Sequence, residues 1–186
     1  MISDSKEKLS PITIGLHWLV ALTIIGLLTI GFYMTNTSSY GLYPIHKSIG
    51  VIIFSAVLLR VVWRLKNGWP EPVREYPSWE HRLAVATHWI LIISTVVMPI
   101  SGMLYAGASG HGFGIFGLEI VASNHDPANP AQVIPYNHAL EEIAEEVHKI
   151  VAIILASAVL LHLVGALKHH VLDKDATLLR MLGKSK

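Results

Sequence analysis

The strongest constraint on this chain is that four stretches of it are apolar for about 20 residues or more, the length a helix needs to cross a bilayer core. They cover residues 11–34, 45–65, 79–106 and 138–169. Hydrocarbon satisfies no backbone N–H or C=O group, so spans of this kind must be helices or closed barrels, and runs this long are helices. The expected fold is therefore all-α: a four-helix transmembrane bundle forming one domain over residues 1–186, with lipid as its solvent. Charge agrees. Charged residues make up 15 % of the chain and hydrophobic residues 52 %, against about 25 % charged in soluble domains. Ser10 and Pro11 read as the N-cap and first residue of the first helix. Pro44 marks a turn before the second helix, and Pro99 predicts a kink in the third. The basic start at Lys6 and Lys8 imitates a signal peptide. The apolar run is too long for one and no small-residue cleavage site follows it, so it reads as a retained helix.

Orientation follows from Lys and Arg. An even number of spans puts both termini on one side. The termini and the 60–82 connection carry Lys6, Lys8, Arg60, Arg64, Lys66, Arg74, Arg82, Lys168, Lys174, Arg180, Lys184 and Lys186, while the other side has only Lys47 and Lys149. Twelve against two predicts that both termini face the cytoplasm. The opposite side carries the longest loop, residues 107–137, rich in Gly, Pro and Asn and expected to lie as a lid over the bundle mouth.

The second and fourth spans repeat each other without a gap. His46-Lys47 and Ser55-Ala56-Val57-Leu58-Leu59-Arg60 match His148-Lys149 and Ser157-Ala158-Val159-Leu160-Leu161-His162. The first and third echo in the same way, His17-Trp18 with Gly31 against His88-Trp89 with Gly102. This predicts a duplicated helix pair related by a pseudo-two-fold axis along the membrane normal. Arg60 stands where the fourth span has His162, so the halves diverge at the cytoplasmic end.

Ionisable residues inside spans are costly and mark function. Five histidines matter: His17, His46, His88, His148 and His162. His148 and His162 are fourteen residues apart on one helix, which places them ~21 Å apart along the axis and only ~40° apart around it. One metal ion cannot serve both levels, whereas two stacked haems can. His46 joins His148 at the outer level. His162 lies toward the cytoplasm with His17 and His88, and spacing alone does not choose between those two. Two imidazoles per iron close both axial positions and favour electron transfer over oxygen binding. The chain has no cysteine, which excludes thioether-attached haem, thiolate zinc sites and iron–sulfur clusters. Any haem is therefore non-covalent. A net charge of +1 gives no footprint for nucleic acid. Arg60 and Arg64 suit haem propionates, although Arg64 serves equally as an interface anchor. Lys47 and Lys149 flank the outer histidines and are further candidates for propionates or a small anion. Glu119, Asp126, Glu141, Glu142, Glu145 and Glu146 outweigh them, so long-range steering of an anion is not expected.

These residues carry a resemblance to the bacterial cytochrome b561 family, four-helix di-haem membrane cytochromes, nearest to its superoxide oxidase branch. The matching pieces are His17-Trp18-Leu19-Val20, Arg60 with Arg64-Leu65-Lys66, His148 and His162, His169-His170, and the tail Lys174-Asp175-Ala176-Thr177-Leu178-Leu179-Arg180-Met181. The resemblance implies two b-type haems, one ligated by His17 and His162 and one by His46 and His148. It also implies ubiquinone reduction on the cytoplasmic side, with His169, Lys174 and His88 as the residues for that site. The expected activity is electron transfer from a periplasmic donor, with superoxide leading, to ubiquinone. An alternative keeps the haems but makes the chain a membrane anchor exchanging electrons between quinone and a basic periplasmic redox protein. A histidine-lined metal transporter, from another class, is disfavoured because few of these histidines could share one ion.

Overall fold

The computed structural model describes residues 4–5 and 8–184. Lys6 and Lys186, counted above among the basic residues, lie outside the described residues. Four long helices dominate: α1 (Pro11–Thr37), α2 (Tyr43–Asn67), α3 (Ser78–Ala108) and α4 (His138–Val171). All four are long and apolar enough to cross a membrane. Between α3 and α4 lies a hairpin of β1 (Phe113–Ile115) and β2 (Leu118–Val121), and a short helix, α5 (Thr177–Met181), follows α4. The chain is a multi-pass helical membrane protein. Leu19, Leu22, Ile93, Leu160 and Val164 are among many large apolar residues left exposed. In water such a surface would aggregate; in a bilayer it is the lipid-facing side.

The helices outrun their apolar cores by a few residues because caps, not hydropathy, end them. Ser10 is extended and its hydroxyl accepts the Thr13 N–H at 3.1 Å, while Pro11 occupies a position where its missing N–H costs nothing. Ser38, at φ 53°, ends α1 by returning its N–H to the Met34 carbonyl. Asn137 caps α4 by accepting from the Leu140 N–H at 3.0 Å. Helix α3 continues through Pro99.

Packing is uneven. Helix α3 lies against α4 and α1 against α2, whereas α1 barely touches α4 and the backbones of α2 and α4 scarcely approach each other. The buried core joins Val20, Ile24 and Leu27 of α1, Ile53 and Val57 of α2, and Leu155 of α4. Leu155 is 0 % exposed. It stands seven residues from both His148 and His162, and Ile53 is its counterpart in the repeat. An apolar layer thus separates the two histidine levels.

The long loop is folded rather than open. Phe116 and Gly117, both at positive φ, make the two-residue turn that a tight hairpin requires. The Phe116 N–H donates to Ser48 Oγ at 3.0 Å, and the Lys47 ammonium donates to the Gly112 carbonyl at 2.8 Å. The hairpin is therefore tied to the start of α2, beside His46.

The tail latches the other end. Arg180 is buried and gives its guanidinium to the Glu71 carbonyl at 3.0 Å and the Ser5 carbonyl at 2.8 Å. Trp18 donates to the Met181 carbonyl at 2.8 Å. Asp175 accepts from the Thr177 N–H and the Tyr76 hydroxyl, each at 2.8 Å. Burial raises the Asp175 pKa, but the bonds from Thr177 and Tyr76 and the nearby His169 outweigh it and hold the carboxyl below the ordinary 3.8.

Two outcomes follow from this latch. Arg180→Ala should lower stability by about 1–3 kcal/mol, because the Ser5 and Glu71 carbonyls lose a charged donor; thermal unfolding in detergent measures it. The Asp175 contribution is complete above pH 3.8 and is lost as pH falls through the depressed folded value. Asp175→Asn should accordingly flatten the pH dependence of unfolding below that point.

Candidate functional site: two histidine pairs

The bundle brings its intramembrane histidines together at two levels. At the end that carries the loop, His46 of α2 faces His148 of α4 with ring centroids 6.4 Å apart. At the end that carries the termini, His17 of α1 faces His162 of α4 at 6.2 Å. A metal-bound imidazole nitrogen sits about 2 Å from the metal, with the ring centre about 1 Å behind it, so two rings on opposite sides of one iron have centres about 6 Å apart. Both pairs meet that spacing. Each pair also spans two helices whose backbones keep apart, which leaves room for a flat macrocycle between them. The donor set of each pair is histidine only, which suits non-covalent b-type haem.

Two glycines explain how the loop-end pair is seated. A Cβ on Gly31 would meet the His46 ring at 3.4 Å, and one on Gly102 would meet His148 Cε1 at 2.9 Å. These glycines are counterparts in the repeat, as are the two histidines. The duplication visible in the sequence is thus a shared packing device: a glycine on the first helix of each pair beds the histidine ring of the second. The ring nitrogens differ, however. His148 Nδ1 lies 3.1 Å from Ser101 Oγ and 3.1 Å from the Met98 carbonyl. His46 Nδ1 is buried with no hydrogen-bond partner.

The terminal-end pair has lost the symmetry. Arg60 lies 3.2 Å from His17 Nδ1, while its repeat counterpart, His162, lies against His88 with ring centroids 5.3 Å apart. A guanidinium only donates, so the contact sets His17 with its proton on Nε2. A histidine that ligated through Nε2 would carry its proton on Nδ1 instead, and Arg60 would then need another acceptor. A haem propionate is such an acceptor. His88 donates from Nδ1 to the Ala84 carbonyl at 2.7 Å and packs edge-on to Trp69 at 5.8 Å.

The other candidates are placed as follows. Arg64 is engaged with Asp4 at 3.5 Å, the Gly68 carbonyl at 2.7 Å and the face of Trp69. Lys149 pairs with Glu145 at 2.7 Å on the outer surface, and Lys47 holds the hairpin. His169 Nδ1 is 3.1 Å from both Asp173 and Asp175, and Tyr76 packs edge-on to its ring. Lys168 bridges Glu80 at 2.6 Å and Asp173 at 2.7 Å beside it. Glu80, His169 and Asp173 are close enough to hold a metal ion, but the Lys168 ammonium already fills that position. Lys174 is an exposed turn residue at φ 52°. Three residues expected at one quinone site therefore fall in two places: His169 in the end network with Lys174 in the segment that carries Asp173 and Asp175, His88 one step from His162. Ser101, Tyr76, Trp69, Glu80 and Asp173 carried no sequence signal of their own, whereas Asp175 belonged to the tail motif. Gly102 did, through its repeat partner.

The glycine seats give a direct test. Gly102→Ala should displace His148 and cost a large share of one haem per chain, whereas Gly31→Ala, with an ordinary van der Waals contact, should retain nearly all. Haem per chain after purification measures both.

Comparison with known proteins agrees with the geometry. The family model for prokaryotic cytochrome b561 matches residues 8–184. "Cytochrome b561 homolog 2" of Escherichia coli K12 is 32 % identical over 189 residues, covering 98 % of this chain and 95 % of that protein. "Cytochrome b561 homolog 1" of the same organism is 25 % identical over 185 residues, covering 97 % and 99 %. The "Probable superoxide oxidase CybB" of Yersinia pestis is 27 % identical over 183 residues, covering 97 % and 98 %. The four apolar helices, the paired intramembrane histidines and these full-length matches lead to one conclusion: the chain belongs to the prokaryotic cytochrome b561 family, membrane electron-transfer proteins that carry b-type haem.

Proposed function

We propose that this protein is an oxidoreductase that moves electrons from a donor on the periplasmic side, with superoxide the leading candidate, to ubiquinone at the cytoplasmic side. Two non-covalent b-type haems supply the one-electron redox chemistry, one held by His46 and His148, the other by His17 and His162. The observation that carries the reading is the pair of 6.2 Å and 6.4 Å histidine spacings at two levels of one bundle, divided by the Leu155 layer. Both termini face the cytoplasm on the Lys and Arg count.

The chain's own residues have separable tasks. Held by two imidazoles, each haem would offer oxygen no open site and would supply outer-sphere one-electron exchange. Arg60 is placed to neutralise a propionate once His17 is ligated. Arg64, Lys47 and Lys149 remain weaker candidates for that role, since each already has another partner. His169 stands among Asp173, Asp175 and Tyr76, a network able to hold and pass protons. His88 lies nearer the His162 ring. With His169 and Lys174 they are the proposed quinone residues. The balance is simple: two superoxide ions lose one electron each and leave as dioxygen, and ubiquinone takes up two electrons and two protons.

The relative named a probable superoxide oxidase supports the donor. A second reading, a membrane anchor for a basic periplasmic redox protein, draws support from the acidic loop-side face of Glu119, Asp126, Glu141, Glu142, Glu145 and Glu146. Rapid mixing of the oxidised protein with superoxide separates the two. The proposal predicts immediate haem reduction, then reoxidation when ubiquinone is present. Haem that stays oxidised would contradict the superoxide reading and leave the anchor.

A further inference from the structure

The loop-end histidines are counterparts in the repeat, yet only one of them has its second ring nitrogen engaged. Helix α3 departs from α1 in the turn that faces it. Positions 98, 101 and 102 read Met, Ser and Gly where the first helix has Leu27, Ile30 and Gly31. Ser101 is 3 % exposed. Its hydroxyl lies 2.9 Å from the Met98 carbonyl and 3.1 Å from His148 Nδ1. The same carbonyl lies 3.1 Å from His148 Nδ1.

These three distances set the donors. A carbonyl only accepts, so the Ser101 O–H and the His148 Nδ1–H both point to Met98 O. The Ser101 lone pair then receives the His148 Nδ1–H as well. The His148 proton is fixed on Nδ1 and shared between two acceptors, which leaves Nε2 unprotonated and able to ligate. His46 has no such support, because Ile30 offers no oxygen and its Nδ1 is buried without a partner. An acceptor on the distal N–H makes a ligating imidazole a stronger electron donor to its metal.

We infer that Ser101 is a positioning residue for the loop-end haem: it strengthens His148 as a ligand, makes the two axial ligands of that iron unequal, and lowers that haem's reduction potential. The inference rests on the reading of His148 as an iron ligand. Haem per chain reports on that reading separately from the experiment below.

The experiment is a redox titration of the purified holoprotein followed by absorbance. Ser101→Ala should shift the reduction equilibrium of one haem toward the reduced form by about tenfold, the lower end of the change in metal affinity or activity that follows loss of a hydrogen-bond partner of a metal ligand. The other haem should titrate where it does in the wild type. Ser101→Thr keeps the hydroxyl and should restore the original position, which a purely packing role would not do. Ile30→Ser, the same position in the other half, should give His46 the acceptor it lacks and move the same haem the opposite way. Two haems per chain with both steps unmoved in Ser101→Ala would overturn the inference. So would equal shifts of both steps, or a Ser101→Thr protein that titrates like Ser101→Ala. Should Ser101→Ala lose its haem, Ile30→Ser carries the test alone, and an unmoved step there overturns the inference.

Discussion

An imidazole inside a bilayer has no water to bind, so each ring nitrogen needs a partner from the protein or from a cofactor. The architecture answers that demand. Helix α4 holds two histidines on one side, and α1 and α2 each bring a histidine up to it at a distance that suits one iron. The helices bearing the facing rings stay apart, while α3 packs along α4 and α1 along α2. The bundle is therefore closed between α3 and α4 and between α1 and α2, and open between the helices that bear the facing rings. His46 Nδ1, buried without a partner, shows how narrowly the demand is met.

Duplication supplies the framework and divergence supplies the direction. The loop end keeps the older symmetry: His46 on Gly31 and His148 on Gly102. The terminal end has broken it, with Arg60 against His17 on one side and His162 against His88 on the other. A symmetric pair of sites would favour neither face. In the proposed reading, unequal neighbours around the two histidine pairs would let one end accept an electron and the other pass it on, with the buried Ile53 and Leu155 layer between them.

Much of this was legible in the sequence. The four spans were evident because a run of about 20 apolar residues has few other uses. The two histidine levels followed from the fourteen-residue spacing, since helical rise and twist are fixed. Spacing alone could not choose between His17 and His88, because both lie on the correct level and both rings stand beside His162; it is the family resemblance that implies His17. The hairpin at 113–121 was hidden because its strands are only three and four residues long, too short for a periodic signal. The tail was recognisable as a motif, but its latch depends on carbonyls of Ser5 and Glu71 far away in the chain. Ser101 was invisible for a related reason: a serine in an apolar helix reads as a helix-packing residue until the ring it touches is known.

The central claim is that one bundle holds two low-spin, bis-histidine haems, one for each pair. Haem quantified per chain, with reduced-minus-oxidised spectra of the wild type and of His148→Ala and His162→Ala, tests it most directly. The account predicts two low-spin haems in the wild type and one in each variant, with the surviving haem spectrally distinct between the two. One haem per wild-type chain, a high-spin spectrum, or the same surviving haem in both variants would contradict it.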